Sequence, residues 1–248
     1  MPETDVPDVA VNTSAWLAAG WYAVALSSEL ADTPLGVSVL GKRWALVRMD
    51  GEVRAFADRC PHRLAPLSIG SVCDDGTLQC KYHGWRFGAD GGCVAIPANG
   101  EGSPIPSRAR LTGAARVQER YGLVWVFFGD AERAYQVAMP EIPELEGPDR
   151  WACVPIAFTC KAHHSMIIDN VSDFTHAWLH RKYKPFWDAK LTKLETQGDK
   201  VFLSYDTTIG GGGVTRHFID RARIDTSAIE LCYDYPYQRS STDGQIKH

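Results

Sequence analysis

Two short stretches constrain this chain more than anything else in it: RCPHRLAPLS, residues 59–68, and LQCKYHGWRF, residues 78–87. Each carries one cysteine and one histidine at close spacing, Cys60-x-His62 and Cys80-x2-His83, with seventeen residues between His62 and Cys80. Thiolates and imidazoles so placed point to a metal centre. A zinc finger usually groups its cysteines together and its histidines together, whereas here each loop contributes one of each. That division suits a two-iron cluster with both cysteines on one iron and both histidines on the other. Neutral imidazoles in place of two thiolates reduce the negative charge around the cluster and raise its potential, to roughly −150 to +300 mV. The two loops clasp such a cluster as hairpin tips. Gly84 permits a tight turn after the second tip, and Trp85 either shields the cluster or packs in the core. A zinc-stabilised interaction module is the rival reading of the same four residues.

The surrounding sequence reads as short strands. WYAVALSSEL (21–30), GVSVLG (36–41), RWALVRMD (43–50) and EVRAFAD (52–58) are rich in Val, Ala, Trp and Phe and are broken by Gly or Asp-Gly. Asp50-Gly51 is a hairpin signal. With GTLQCKYHGWRF (76–87) and YGLVWVFFGD (121–130), the first half is expected to be all-β. MPEIPELEGPDR (139–150) holds three prolines and four acids and marks a domain boundary or a surface crossing. Strands are expected again at 151–162, 200–209, 214–224 and 228–237. IGGGGV (209–214) lacks a lysine and a following helix, so it reads as a loop between strands and not as a phosphate cradle.

A second constellation lies in DNVSDFTHAWLH, residues 169–180. Asp169, Asp173, His176 and His180 recur at steps of four, three and four, which on a helix places them on one stripe. These residues and their neighbours are mediocre helix formers, so the stripe needs another source of free energy. Two imidazoles one turn apart can chelate a metal, and metal binding repays the cost of forming such a segment. Non-haem Fe(II) oxygenases use two His and one carboxylate on one face of the iron and leave positions open for O2. The bland alternative is a solvated polar face. Phe174, Trp178, Ile167 and Ile168 either line an apolar pocket or pack in the core.

CPHR followed by CKYHGWRF resembles the Rieske cluster motif, and DNVSDFTHAWLH resembles the mononuclear-iron motif of Rieske non-haem iron oxygenase α subunits. The resemblance covers essentially the whole chain in the family's order. It implies an α+β chain: an all-β Rieske [2Fe-2S] domain over residues 1–138, then an α+β catalytic domain on an antiparallel, helix-grip sheet over 139–248. It implies a [2Fe-2S] cluster on Cys60, His62, Cys80 and His83, and mononuclear Fe(II) on His176 and His180. By the same resemblance Asp173 bridges the two redox centres, bonding an iron-ligating His and a cluster-ligating His of the neighbouring subunit. Asn170 then sits near the iron and assists O2 or ligand binding. Asp169 reads as an acid at a helix N-terminus.

The family takes electrons from NAD(P)H through a reductase, with or without a ferredoxin. It hydroxylates, dihydroxylates or oxidatively demethylates an organic, aromatic or polycyclic substrate with O2. The His-x3-His spacing, shorter than the His-x4-His of many members, favours a homotrimer of α subunits alone. The family's third iron ligand is a carboxylate far downstream. Asp206, Asp220, Asp225 and Asp234 stand in strand-like contexts, so that ligand is expected beyond His248, the catalytic domain here being incomplete. A Rieske electron-transfer protein without oxygenase activity is the alternative function.

Bulk properties fit this reading. A net charge of −4 with no basic block argues against nucleic acid as a partner. The N-terminus lacks a secretory pattern, and the longest apolar run, Tyr121 to Gly129, is too short for a membrane span. Seven irregularly spaced cysteines favour a reduced, cytoplasmic chain over a disulfide scaffold. Cys73, Cys93, Cys153, Cys160 and Cys232 have no partner spacing and read as buried thiols or as residues without importance to the site.

Overall fold

Asp50 and Gly51 both take positive φ, +51° and +81°, and so close a two-residue hairpin between Lys42–Met49 and Glu52–Ala57. Two more hairpins of the same kind turn at Leu40-Gly41 and Tyr121-Gly122, again with both residues at positive φ. This turn matches the right-handed twist of the strands it joins. Only the Asp-Gly turn is conspicuous in the sequence, because Leu and Tyr are poor turn residues held in place by the strands on either side.

The computed structural model describes residues 15–154, 160–180, 186–209, 226–234, 236–242 and 246–247. The chain divides into two compact units, Met1–Ala157 and Phe158–His248. In the first, β1 (Trp21–Leu26), β2 (Leu35–Val39), β3 (Lys42–Met49), β4 (Glu52–Ala57), β5 (Ser71–Val72), β6 (Leu78–Gln79), β7 (Arg86–Phe87), β8 (Cys93–Ala95), β9 (Arg116–Arg120) and β10 (Leu123–Phe127) form three antiparallel sheets. Their orders are β1-β10-β9, β2-β3-β4 and β5-β6-β7-β8.

Strand β3 organises this unit. Its residues Ala45, Val47 and Met49 pack with Phe56, Leu67, Leu78 and Phe87 on one side. Leu46 packs with Val53, Ala55, Val124 and Val126 on the other. A strand buried on both faces reads as a continuous apolar run, and each fully buried Leu, Val or Met stabilises the fold by about 1.5–3 kcal/mol. The acidic, proline-rich segment packs back on this unit: Tyr121 Oη accepts the Ile142 N–H at 3.0 Å, and the Arg120 guanidinium meets the Glu146 carboxylate. The compact unit therefore continues past the stretch that composition marks as a boundary.

The second unit is an antiparallel meander of β11 (Phe186–Gln197), β12 (Lys200–Ile209), β13 (Thr226–Asp234), β14 (Tyr237–Thr242) and β15 (Ile246–Lys247). One helix, His164–Ser172, is tied to it: Tyr205 Oη donates to the Ser172 carbonyl at 3.1 Å and Gln238 Nε2 to the Val171 carbonyl at 3.1 Å. The fold is thus α+β with a small helical share. Residues 151–154 are not strand, and the expected strand at 214–224 and the glycine run at 210–213 lie outside the described residues.

Strand β11 escapes the sequence reading. Leu191 and Leu194 stand three apart among Lys and Glu, a helix-like spacing, and both are exposed. Two irregularities in its pairing with β12 further blur the period-two pattern.

Candidate metal centres

The two Cys/His loops are closed by the same pair of backbone bonds. The Cys60 N–H donates to the Ala65 carbonyl at 2.8 Å, and the Leu64 N–H returns to the Cys60 carbonyl at 2.8 Å. Likewise the Cys80 N–H donates to the Trp85 carbonyl at 2.8 Å and the Gly84 N–H to the Cys80 carbonyl at 3.0 Å. The fifth residue of each loop has positive φ, +58° at Leu64 and +71° at Gly84. Glycine adopts this conformation freely and leucine does not.

Both cysteines lie at the loop bases, each 2% exposed. Burial pushes the Cys60 thiol up to about 11; the N–H groups of His62 and Arg63 act against this, and the adjoining Cys80 thiol adds to it. The histidines stand at the exposed tips. Their ring centroids are 4.6 Å apart with planes at 63°, and the His62 ring lies flat on Trp85, at 4.6 Å and 6°. His62 titrates below its usual value through desolvation of its ring, then the neighbouring His83 and Arg63, which favours the neutral imidazole that ligates metals.

Among the described residues no three His, Cys, Asp or Glu side chains close on one point. The donors stand instead as a thiol pair and an imidazole pair. A single tetrahedral ion draws all four donors together, whereas a two-iron cluster takes a pair of cysteines on one iron and a pair of histidines on the other. The arrangement fits the latter.

The first loop is anchored from beneath by Asp58, whose side chain is fully buried. Its carboxylate accepts the Ser68 N–H at 2.7 Å, the Ser68 hydroxyl at 2.8 Å and Arg43 Nε at 3.2 Å. Burial works against its ionisation, but these bonds and one from the Leu67 backbone prevail and hold the carboxyl below its ordinary value. Sequence reasoning missed this clamp, since nothing in an isolated Asp distinguishes it from a surface acid.

The second motif is not one straight helix. The helix ends at Ser172, Asp173 is extended (φ −104°, ψ 105°), and a 3-10 segment, Phe174–His180, follows with a kink at His176. The expected single stripe is therefore corrected. Asp173 Oδ1 accepts both the Thr175 N–H at 2.7 Å and the Thr175 hydroxyl at 2.6 Å, a local turn that competes with helix propagation. Those bonds, led by the Thr175 hydroxyl, hold the Asp173 carboxyl low against its desolvation, with the nearby His176 assisting.

The break swings His176 back toward the helix: its Nε2 lies 3.5 Å from Asn170 Nδ2. His176 also meets Phe186 edge-on at 5.8 Å. The structure thus brings Asn170 and His176 together. The His180 side chain lies outside the described residues, as do Asp220 and Asp225. Asp206 is exposed and Asp234 pairs with Lys200 at 2.9 Å.

Residues 20–115 match the Rieske [2Fe-2S] domain. The chain is 40% identical over 231 residues to the 4β-methylsterol monooxygenase of Methylococcus capsulatus, spanning 92% of this chain and 62% of that protein. The chain belongs to the Rieske oxygenase family, on the side of its terminal oxygenase (α) subunits. The dicamba O-demethylase oxygenase component of Stenotrophomonas maltophilia is 37% identical over 163 residues, 65% of this Rieske oxygenase chain and 47% of its own length. The crystal structure of dicamba monooxygenase bound to dicamba superposes with a TM-score of 0.74 at 26% identity, covering 94% of this chain and 69% of that one. The chain therefore spans about six tenths of the first of these curated relatives and about half of the second.

Of the cysteines outside the Rieske loops, Cys73, Cys93 and Cys232 are partly buried, whereas Cys153 and Cys160 are exposed, so of the two readings given for these thiols burial does not apply to the last two. Ile167 and Trp178 are exposed in the second unit, while Phe174 packs on Phe186 and Tyr205 at 5.0 and 5.6 Å. No helix among the described residues is long and apolar enough to cross a membrane.

Proposed function

We propose that the chain is the cluster-bearing and iron-bearing part of a Rieske oxygenase that oxidises a methyl or other alkyl group on a ring-containing organic substrate. The paired loops carry this reading: two buried thiols at the loop bases and two imidazoles meeting edge-on at the tips, set by matching backbone bonds. Cys60 and Cys80 would hold one iron of the [2Fe-2S] cluster, His62 and His83 the other, within the first unit. His176 and His180 would hold mononuclear Fe(II) in the second, catalytic unit. When bound, these centres supply one-electron storage and O2 activation.

The chain's own groups prepare the sites. Asp58 fixes the first loop through Ser68. The stack on Trp85 sets the plane of His62, and the Asn170 amide faces Nε2 of His176. Asp173, engaged only through Oδ1 among the described residues, keeps its second oxygen to accept an imidazole N–H from a neighbouring subunit. Phe174 and Phe186 supply apolar, water-excluding surface beside His176.

The substrate preference follows the similar proteins, several named for acting on methyl or alkyl groups: methylsterol monooxygenase, vanillate O-demethylase and dicamba O-demethylase. A reductase, with or without a ferredoxin, supplies the electrons. The assembly is a homotrimer in the cytoplasm.

The test is an iron count with EPR on anaerobically purified protein. About three iron atoms per chain with a Rieske signal support the oxygenase; about two support a cluster-only electron carrier. Cys60→Ser or Cys80→Ser should abolish the Rieske signal. His176→Ala should remove only the third iron, and a full complement of iron in that variant overturns the assignment.

A further inference from the structure

The sheet of the second unit has two unlike faces. Strand pairing places Leu203 opposite Leu231, Tyr205 opposite Ile229 and, through β14, Ile229 opposite Thr242, Leu231 opposite Ser240 and Tyr233 opposite Gln238. With Val201 and Thr207 these residues share one face, and none of them is charged. The other face carries Asp206, Glu230, Arg239 and the Lys200–Asp234 ion pair.

The neutral face is the one that meets the iron-motif segment. Tyr205 bonds Ser172 and touches Phe174; Phe174 in turn packs on Phe186, which meets His176. Thr207 lies on this face, two residues along β12 from Tyr205. It is 3% exposed, and among the described residues its hydroxyl has no hydrogen-bond partner.

An orphaned hydroxyl is costly in a buried setting, because it has given up water and gained nothing. Valine has nearly the same shape without that penalty. A threonine that leaves its hydroxyl unpaired among the described residues, on the face that carries Tyr205, therefore points to a partner other than those residues. The surroundings describe that partner. It is apolar and ring-containing, to suit Phe174 and Phe186. It carries a neutral hydroxyl, ether or carbonyl, because the described residues of this face offer no counter-charge to a carboxylate.

We propose that Thr207 is a substrate-positioning residue whose hydroxyl hydrogen-bonds the single polar group of a neutral, ring-containing substrate. This rests on the oxygenase reading above and adds to it a substrate charge class and an anchoring atom. A site built around one such bond should discriminate against an analogue that lacks the matching group.

The experiment uses the iron-loaded full-length protein, with Rieske EPR and iron content checked first so that a failed oxygenase reading is recognised separately. Binding of two matched pairs, 2-naphthol with naphthalene and cholestanol with cholestane, is measured by calorimetry or intrinsic fluorescence, with benzoate as the anionic probe. In the wild type at least one alcohol should bind about tenfold more tightly than its hydrocarbon. Thr207→Val should abolish that preference, leave the hydrocarbon's affinity unchanged, and leave the melting temperature the same or higher. Equal discrimination in Thr207→Val overturns the proposal. So does a clear fall in its melting temperature, which would mean that the hydroxyl is satisfied within the fold. Binding of benzoate in preference to both alcohols, or of neither alcohol by an iron-replete wild type, overturns the substrate class.

Discussion

The His62 imidazole lies flat against the Trp85 indole, with ring centroids 4.6 Å apart and planes within 6°. The two residues belong to different loops, so this contact locks one tip against the other at the point where His62 and His83 approach. Trp85 also packs against the buried cluster of Ala45, Val47, Met49, Phe56 and Phe87. Trp85→Ala should therefore speed loss of the Rieske chromophore in air and lower the melting temperature by several degrees, while Trp85→Phe, which can still stack, should restore much of both. An alanine variant that keeps its colour as long as wild type would reduce Trp85 to a bystander.

Leu64 and Gly84 occupy equivalent places in the two loops, both at positive φ. Leucine in this conformation costs about 1–2 kcal/mol, while glycine loses about 0.5–1 kcal/mol through its greater freedom in the unfolded chain. Leu64→Gly is expected to be neutral or slightly stabilising by chemical denaturation, and Leu64→Val clearly destabilising. A large loss of stability in the glycine variant would show that the exposed leucine side chain holds the loop by a contact of its own.

Asp58 is expected to make the Rieske unit acid-sensitive. Its carboxyl is held below its ordinary value in the folded state, so the folded state binds its proton less readily than the unfolded chain. Its contribution to stability is complete above the unfolded value near pH 4, and it is lost as the pH falls through the lower folded value. Asp58→Asn should lose about 1–3 kcal/mol at neutral pH and show a shallower decline below pH 4 than wild type. Parallel acid profiles for the two proteins would remove Asp58 from the account.

With its thiol raised to about 11, Cys60 should resist alkylation when no metal is bound. At pH 8 only about one thiol in a thousand is ionised at that value, and the thiolate is the reacting form. In folded apoprotein, iodoacetamide should modify the exposed Cys153 and Cys160 roughly a hundredfold faster than Cys60, as read by peptide mass spectrometry. Comparable rates would show that the loop bases open to solvent.

Asp173 offers a separation of shape from charge. Asparagine can accept the same Thr175 N–H and hydroxyl bonds through its oxygen, so Asp173→Asn should keep the turn and both metals, yet form product far more slowly in a single turnover. Asp173→Ala removes the turn as well and should lose mononuclear iron. Wild-type turnover in the asparagine variant would leave Asp173 with only the local role of ending the helix.

The sequence by itself determined which atoms can ligate metal, and the first unit's β class. Cys-x-His and Cys-x2-His are chemically rare groupings, and the short apolar runs of β3 and β10, bounded by turn residues, mark strands from local pattern. It did not determine how the second motif is shaped. Steps of four, three and four look like one helical stripe, but the Asp173–Thr175 bonds end the helix, a competition that spacing alone does not record. Three further features came only from tertiary structure: the equivalence of Leu64 with Gly84, the burial of Asp58 bonded to Ser68, and the hydroxyl of Thr207, unpaired among the described residues. Each depends on which strands become neighbours. A lone Leu, Asp or Thr carries no mark of that in the chain, because its cost or benefit is set by the groups that folding brings against it.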